Sequence, residues 1–369
     1  MKFFFPCTTC FSSQRNDIDN SCYDEENNEN FRLFTYNELR LATNGFSSSN
    51  KIGVGGFGTV YKGRFRDESL VGIKVLSIEI ESMRGEREFI AELAALSNIK
   101  HDNLVGLRGC CVDGATRYLV YDYMENNSLS HTLLGGEQNR LKFSWEARKH
   151  ISLGIAQGLS YLHEEPHIVH RDIKASNILL DKNFTPKLGD FGLSKILREN
   201  SSHISTRVAG TMGYLAPEYA ISGRLTRKSD IYSFGVLLLE IVSGRRVVDF
   251  DMEHGEHYLV QKAWEAYKGD ELLQLVDSVL ETKFPEEEAV RFIKIGLLCV
   301  QEHARLRPSM ATAIKMLANE TDLIDVEISQ PGLVTDLMSI KLDQQHSSQS
   351  TFSRGSTTLS FQSPRTSYF

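Results

Sequence analysis

A chain of 369 residues, 41% of them hydrophobic, has enough apolar material for two or more core-bearing units. Its 41 Lys and Arg are well mixed with 48 Asp and Glu for a net charge of −7, which excludes nucleic-acid binding driven by bulk charge. No apolar run is long enough to span a bilayer; the longest, Ile231 to Val242, is broken by Ser233, Gly235 and Glu240.

Taken in chain order, residues 1–30 are rich in Ser, Asn, Asp and Glu after a short apolar start, and read as disordered. The cysteines (Cys7, Cys10, Cys22, Cys110, Cys111 and Cys299) are scattered, which is no disulfide framework and fits a reducing compartment. Cys7 and Cys10 form C-x-x-C, but only Cys22 follows nearby, too few ligands for an ordinary zinc site. In FTYNELRLATNGFS, Thr35 and Glu38 fit a capping box and Phe34 and Leu39 a hydrophobic staple. With Gly45 as the stop, a short helix is expected over Tyr36 to Asn44.

Residues 51–76 read as strands, since TVYKG and LVGIKVL carry β-branched residues and no helix start. A helix is expected over Gly85 to Ile99, with Phe89, Leu93 and Leu96 at helical spacing. RYLVYDYM reads as another strand. From Trp145 the pattern turns helical: Ile151, Ile155, Leu159 and Leu162 make one apolar face. DIYSFGVLLLEIVSG is apolar nearly all round and reads as a buried helix. Beyond about residue 325 the chain becomes Ser/Thr-rich with little to bury, and reads as disordered. The expected organisation is α+β: a lead-in over 31–50, a sheet-rich lobe over 51–124 and a helical lobe over 125–322. Loose ends at 1–30 and 323–369 flank it.

The stretch KIGVGGFGTV holds a G-x-G-x-x-G at Gly53, Gly55 and Gly58, which lets backbone N–H groups approach phosphate oxygens. A dinucleotide fold requires such glycines to open a helix and an acid about twenty residues on. Here a strand follows, and that region carries Lys74. A Walker A loop requires Lys-Ser/Thr after the last glycine; here Thr59 and Val60 follow. The remaining reading is an ATP-covering loop formed by Ile52, Gly53, Val54, Gly55, Gly56, Phe57, Gly58, Thr59 and Val60.

That reading makes further demands. VGIK supplies a strand lysine, Lys74, for the α/β-phosphates, and REFIAEL supplies Glu92 to hold it, with Glu88 one turn earlier as the runner-up. HRDIKASN supplies Asp172 to orient the attacking hydroxyl, Asn177 for metal and Lys174 within reach of the γ-phosphate. GDFG supplies Asp190 as the second metal ligand, and Ala216 to Glu218 is A-P-E. Phosphoryl transfer needs in-line geometry and positive charge on oxygens gaining negative charge. Mg²⁺, with Mn²⁺ as a substitute, supplies most of that charge through hard oxygen ligands such as Asp190 and Asn177.

These motifs, with FTYNELRLATNGFS, HDNLVGLRGCC, YLVYDYMENNSL and HISTRVAGTMGYLAPEY, resemble a eukaryotic protein kinase. In particular they are similar to the plant receptor-like kinase and Pelle/IRAK group, over roughly residues 31–322. Lacking a recognisable signal peptide, ectodomain or membrane span, the chain resembles the receptor-like cytoplasmic kinases. The resemblance implies a bilobal kinase fold, ATP and Mg²⁺ as cofactors, and transfer to Ser and Thr hydroxyls of protein substrates. It implies a role downstream of a cell-surface receptor kinase. A pseudokinase scaffold is the alternative, disfavoured by the intact set Lys74, Glu92, Asp172, Asn177 and Asp190.

The resemblance carries further roles. Tyr121 is the gatekeeper, and the Asp122 carbonyl and Met124 N–H meet the adenine edge. Leu96, Leu107, His170 and Phe191 stack as an internal spine. Asp230 anchors the His170–Arg171 backbone, and Arg307 pairs with Glu218. Lys174 and Thr211 resemble serine/threonine kinases. Arg171 before Asp172 implies activation-loop phosphorylation, at Thr206 first and Ser205 next, with Thr211 instead bonded near Asp172 and Lys174. One departure is Gly72, where the family has an alanine that packs on adenine. At the N-terminus, MKFFFPCTTCF lacks a glycine after Met1, which closes myristoylation. Phenylalanines beside cysteines leave two readings open: S-acylation of Cys7 and Cys10 with peripheral attachment to the plasma membrane, or an unmodified cytoplasmic tail.

Overall fold

The first described residues already pair with the sheet: β1 (Arg32–Leu33) runs parallel to β5 (Leu107–Asp113), with Arg32 opposite Gly109 and Leu33 opposite Cys110. The computed structural model describes residues 31–55, 58–77, 83–198, 201–251, 255–323 and 326–333. Residues 1–30, with the C-x-x-C and the expected acylation site, lie outside them, as does the polar tail from 334 onward.

Helix α1 (Tyr36–Ala42) starts at the expected capping box, in which Thr35 N–H donates to Glu38 at 2.8 Å and Glu38 N–H to Thr35 Oγ1 at 3.3 Å. It ends before the expected Asn44. Thr43 turns its hydroxyl onto Leu39 O (2.8 Å) and accepts from Phe46 N–H (3.0 Å), while Asn44 and Gly45 take left-handed φ of 54° and 72°. Strands β2 (Lys51–Gly55), β3 (Gly58–Arg64) and β4 (Leu70–Ser77) follow, then α2 (Arg84–Leu96), β5 (Leu107–Asp113) and β6 (Thr116–Asp122). The six strands are ordered β1-β5-β6-β4-β3-β2. Helix α2 ends at Leu96 rather than Ile99, and packs Phe89 and Leu96 into the main core.

Residues 31–50 are more than a lead-in. Phe34 and Leu39 join Val71, Ile73, Cys111, Tyr118 and Val120 in a second core on the outer sheet face, with Phe34 stacked on Phe65 at 5.3 Å. Gly109 makes this docking possible: at φ 158°, a Cβ there would stand 1.8 Å from Arg32 O and 2.8 Å from the Phe34 ring. Gly109→Ala should therefore push β1 off the sheet edge and cost about 1–3 kcal/mol. Urea unfolding measures the cost. Faster hydrogen exchange at Phe34 N–H, which donates to Cys110 O at 2.8 Å, reports the lost docking.

The C-terminal half is helical. The short α3 (Glu137–Arg140) precedes α4 (Trp145–Glu164), in which Ile151, Ile155, Leu159 and Leu162 are buried as the pattern requires. Strands β7 (Ile168–Val169), β8 (Ile178–Leu180), β9 (Pro186–Leu188), β10 (Lys195–Ile196) and β11 (Ile204–Ser205) form small antiparallel pairs that frame the loops between them. After α5 (Pro217–Ser222) and β12 (Arg224–Leu225) comes α6 (Arg227–Ser243), started by Thr226 and stopped by Gly244 at φ 64°. It is buried all round from Ser229 to Ser243, as its unbroken apolar composition demands. The hairpin β13 (Val248–Asp251) and β14 (Gly255–Tyr258) leads to α7 (Leu259–Lys268), α8 (Glu286–Cys299) and α9 (Met310–Leu317).

Composition assigned everything beyond about 325 to a disordered tail. Residues 326–333 depart from this. Glu302 N–H donates to Gln330 O (3.0 Å), Gly332 N–H to Val300 O (3.1 Å), and Ile328 is buried. Backbone pairing to Val300 and Glu302, in both donor directions, holds a segment that local hydrophobicity would not.

Beneath the segment that precedes α5, Glu240 is fully buried and accepts from Tyr214 OH (2.6 Å) and Val247 N–H (2.8 Å). Burial pushes its carboxyl up to about 7 from an ordinary 4.5. The raised value means the fold favours the protonated acid, so its contribution is fully present below pH 4.5 and is lost as pH rises through about 7. Across that window Glu240 should lower the unfolding free energy by about 3 kcal/mol. Glu240→Gln should flatten that dependence, as read by urea unfolding between about pH 5 and 8.

Candidate active site

The β2–β3 hairpin carries the glycine loop, pairing Gly53 with Val60, Val54 with Thr59 and Gly55 with Gly58. Gly56 and Phe57 lie outside the described residues. Gly58 is required by the backbone: at φ 137°, a Cβ would meet Val75 O at 2.2 Å. Ile52 and Val54 stand largely exposed at 43% and 69%. Gly72 is different. A Cβ there would touch only Val60 Cγ1, at 4.0 Å, so the strand has room for alanine and the glycine enlarges the space beside Val60.

Lys74 lies on β4 opposite Val60 and Leu119, which aims it along the sheet toward α2. Its Nζ donates to Glu92 and, at 2.9 Å, to Asp190 Oδ1. Glu88, the runner-up, instead pairs with Arg84 at 2.9 Å. Burial alone would lower the Lys74 pKa, but the Glu92 and Asp190 carboxylates overcome it and raise it, so the ammonium stays charged. Burial acts upward on Asp190, and Lys74 outweighs it, holding that carboxyl below its ordinary value. The Tyr121 hydroxyl donates to the second Glu92 oxygen. Sequence reasoning placed Tyr121 at the pocket but missed this bond; the available signal was a buried-strand tyrosine where phenylalanine would serve packing alone. Asp122 N–H donates to Gly106 O (2.9 Å) and its side chain accepts from Arg108 (2.5 Å), while Met124 packs partly buried against the main core.

The loop after β7 is held from below by Asp230 on α6, which accepts from His170 N–H and Arg171 N–H, each at 2.7 Å. His170 Nε2 donates to Gly189 O (3.1 Å) and its ring meets Phe191 at 4.7 Å. Leu96, His170 and Phe191 are buried and Leu107 packs partly buried beside them.

Asp172, 4% exposed, is surrounded by donors. Lys174 Nζ lies 2.9 Å from its Oδ2, Thr211 Oγ1 donates to its Oδ1 at 2.7 Å, and Asn177 Nδ2 reaches Oδ2 at 3.1 Å. Lys174 Nζ also donates to Thr211 Oγ1 at 2.7 Å. Both Asn177 contacts to Asp172 use Nδ2, at 2.8 Å to the carbonyl and 3.1 Å to the carboxylate, so the amide Oδ1 is left for a cation. Asp190, with 23% of its side chain exposed, supplies a carboxylate. Two hard oxygen donors beside a buried ammonium suit a divalent cation.

The structure brings Thr211 to Asp172 but does not bring Ser205 or Thr206 to Arg171. The Arg171 guanidinium donates to Tyr219 OH (2.6 Å), Leu193 O (3.5 Å) and Arg207 O. Ser205 is exposed, Thr206 half-buried, and Thr206 N–H pairs with Gly223 O at 3.0 Å. Tyr219, missed by sequence reasoning, also accepts from Ala209 N–H at 2.9 Å and ties the loop to Arg171.

The protein kinase domain matches residues 46–317. The chain belongs to the protein kinase family. Cold-responsive protein kinase 1 of Arabidopsis thaliana is 54% identical over 318 residues, 85% of this chain and 81% of that protein. A Helianthus annuus chain named as a serine/threonine-protein kinase is 63% identical over 242 residues, 64% of this chain and all of that one. A probable LRR receptor-like serine/threonine-protein kinase of Arabidopsis thaliana is 49% identical over 82% of this chain, which spans only 29% of that receptor. The kinase is thus a serine/threonine protein kinase of the plant receptor-like group, with a sheet-rich N-terminal lobe and a helical C-terminal lobe. Kinases of this family use ATP with a divalent metal and act on protein substrates.

Proposed function

We propose that Lys74, Asp172, Lys174, Asn177 and Asp190 perform the transfer of the ATP γ-phosphoryl group to substrate Ser and Thr hydroxyls, and that the kinase signals downstream of a cell-surface receptor kinase. The observation that carries the chemistry is the convergence of Lys174, Thr211 and Asn177 on the Asp172 carboxylate, with Lys74 and Asp190 bonded to one another nearby. Lys74, held by Glu92, fixes the α/β-phosphates, and residues 52–60, Asp122 and Met124 enclose the nucleotide. Asp190 and Asn177 hold Mg²⁺, with Mn²⁺ able to replace it. When bound, the cation neutralises charge on the phosphate oxygens. Asp172 orients the acceptor hydroxyl and takes its proton, and Lys174 balances charge developing on the γ-phosphate. A scaffold without catalysis gains no support from a site whose charged groups are all engaged in this way.

Thr206 and then Ser205 are the proposed activation-loop phosphorylation sites, and Thr211 works inside the site. Thr211→Ala should lower kcat by roughly 10²-fold, since both Asp172 and Lys174 lose a partner. Thr206→Ala should have a smaller effect. Steady-state assays with phosphoamino-acid analysis test both the roles and the Ser/Thr assignment; undiminished turnover in Thr211→Ala would refute its place in the site. Among the described residues no helix is long and apolar enough to cross a membrane. Attachment is proposed through S-acylation of Cys7 and Cys10, near three phenylalanines. An unchanged membrane fraction in a Cys7→Ser/Cys10→Ser double variant would rule it out.

A further inference from the structure

The segment 326–333 connects two parts of the helical lobe that are distant in sequence. At one end the buried Gln301 accepts from Ser329 N–H (2.9 Å) and Ser329 Oγ (2.8 Å). The Gln301 amide nitrogen donates to Leu298 O (3.0 Å) and Leu306 O (3.1 Å), which fixes the side chain and turns its oxygen toward Ser329. At the other end Gly332 O accepts from Tyr232 OH on α6 at 2.6 Å. Gly332 is pressed between Glu302 and Pro217, the first residue of α5: a Cβ there would meet Pro217 Cγ at 2.5 Å and Glu302 Cα at 3.0 Å. Leu333 lines one cleft with Met212, Gly213, Tyr232 and Val247.

These last contacts fall on the chain next to the catalytic aspartate. Thr211 Oγ1 is 2.7 Å from Asp172 Oδ1, and Met212 and Gly213 follow Thr211 directly. Met212 is 54% exposed, so it is open to a polypeptide brought to Asp172. Between β11 and α5 this stretch has no regular secondary structure, and other elements set its backbone. Helix α6 holds Tyr214, whose carbonyl accepts from Ser233 Oγ (2.6 Å) and whose hydroxyl donates to Glu240 (2.6 Å). Arg307 holds Glu218 at 2.9 and 2.8 Å. Gly213, at φ 87°, lies so close to Val247 that a Cβ would meet its Cγ2 at 3.0 Å. Leu333 and Gly332 complete the set, against Met212 and Gly213 on one side and Pro217 on the other.

We propose that segment 326–333 is a strap that positions the stretch from Met212 to Pro217 for protein substrate, with Gly332 and Leu333 as its positioning residues. This rests on the catalytic reading given under Proposed function. The strap acts through Met212, Gly213 and Pro217. Its displacement shifts the surface beside Asp172, while Lys74 keeps its bonds to Glu92 and Asp190.

The test uses the full-length kinase with dephosphorylated casein as protein substrate, so that kcat, the KM for casein and the KM for ATP are measured separately. Gly332→Val drives the strap away from Pro217. Leu333→Ala empties its side of the cleft at a residue that is only partly buried. Each should raise the casein KM about three- to tenfold and leave kcat and the KM for ATP within about twofold of the parent. Leu333→Met, of similar volume, should restore the casein KM. Tyr232→Phe keeps the buried ring, removes only the hydroxyl contact to Gly332, and should act in the same direction as Gly332→Val. A purely structural role would reduce the folded fraction, which lowers the apparent kcat and leaves both KM values in place. That result overturns the proposal, as does a casein KM unchanged in both Gly332→Val and Leu333→Ala, or a KM for ATP that rises in step with that for casein. A folded parent kinase that transfers no phosphate to casein or to itself brings down the catalytic reading, and the strap with it, before any variant is compared.

Discussion

Asp172→Asn should reduce phosphoryl transfer by a factor on the order of 10² to 10⁴ while the fold and nucleotide binding remain. The amide matches the carboxylate in shape, and the Asp172 backbone carbonyl still accepts from Asn177 Nδ2, which lies 2.8 Å away. Thr211 Oγ1 still finds an oxygen where it now meets Asp172 Oδ1 at 2.7 Å. What disappears is the charge that faces Lys174 Nζ at 2.9 Å and the site that takes the hydroxyl proton. The groups assigned to nucleotide lie elsewhere, with Lys74 bonded to Glu92 and Asp190. Single-turnover transfer should therefore collapse while calorimetric ATP affinity and the melting temperature stay near those of the parent. Undiminished transfer by the purified variant would sink the assignment.

Arg307→Ala should destabilise the helical lobe by about 3 kcal/mol. Arg307 is buried, and its planar fork meets Glu218 at 2.9 and 2.8 Å. The same guanidinium donates to Gln301 O (2.8 Å), Lys228 O (3.0 Å) and Glu302 O (3.2 Å), and lies 5.0 Å over the Tyr232 ring. Truncation leaves three carbonyls and a carboxylate without their donor. Glu218 keeps 29% of its side chain in solvent, which places the cost at the lower end for a broken buried pair. Arg307→Lys should recover little, because an ammonium cannot reproduce the fork. Urea unfolding measures the loss, and a change below about 1 kcal/mol would contradict it.

The residues proposed for catalysis could be picked out because phosphoryl-transfer chemistry restricts residue type at short spacing. Asp172, Lys174 and Asn177 fall within six residues, and the glycine loop, the strand lysine and the D-F-G each carry a local constraint. Helix α1 was readable from its capping box and α6 from its continuous apolar composition, since caps and burial pattern are properties of a few neighbouring residues. Element ends were less legible: the Thr43 hydroxyl competed with the α1 ladder, and nothing in the local pattern stopped α2 at Leu96.

The polar contacts across the fold were decided by tertiary structure. Tyr121 on Glu92, Tyr219 on Arg171 and Tyr214 on Glu240 join residues 29, 48 and 26 positions apart. A tyrosine's sequence neighbours describe its burial, and only packing decides where its hydroxyl points. The same holds for Arg171, whose guanidinium is directed to Tyr219 and backbone carbonyls because the chain from Arg207 to Ala209 is folded against it. The lead-in at 31–50 and the segment 326–333 complete the contrast. The sequence by itself determined which residues can do phosphoryl-transfer chemistry and the order of strands and helices that carry them. Only the folded chain decided that Gly109 and Gly332 would admit two flanking segments to its surface, because close backbone approach depends on what lies opposite each glycine in space.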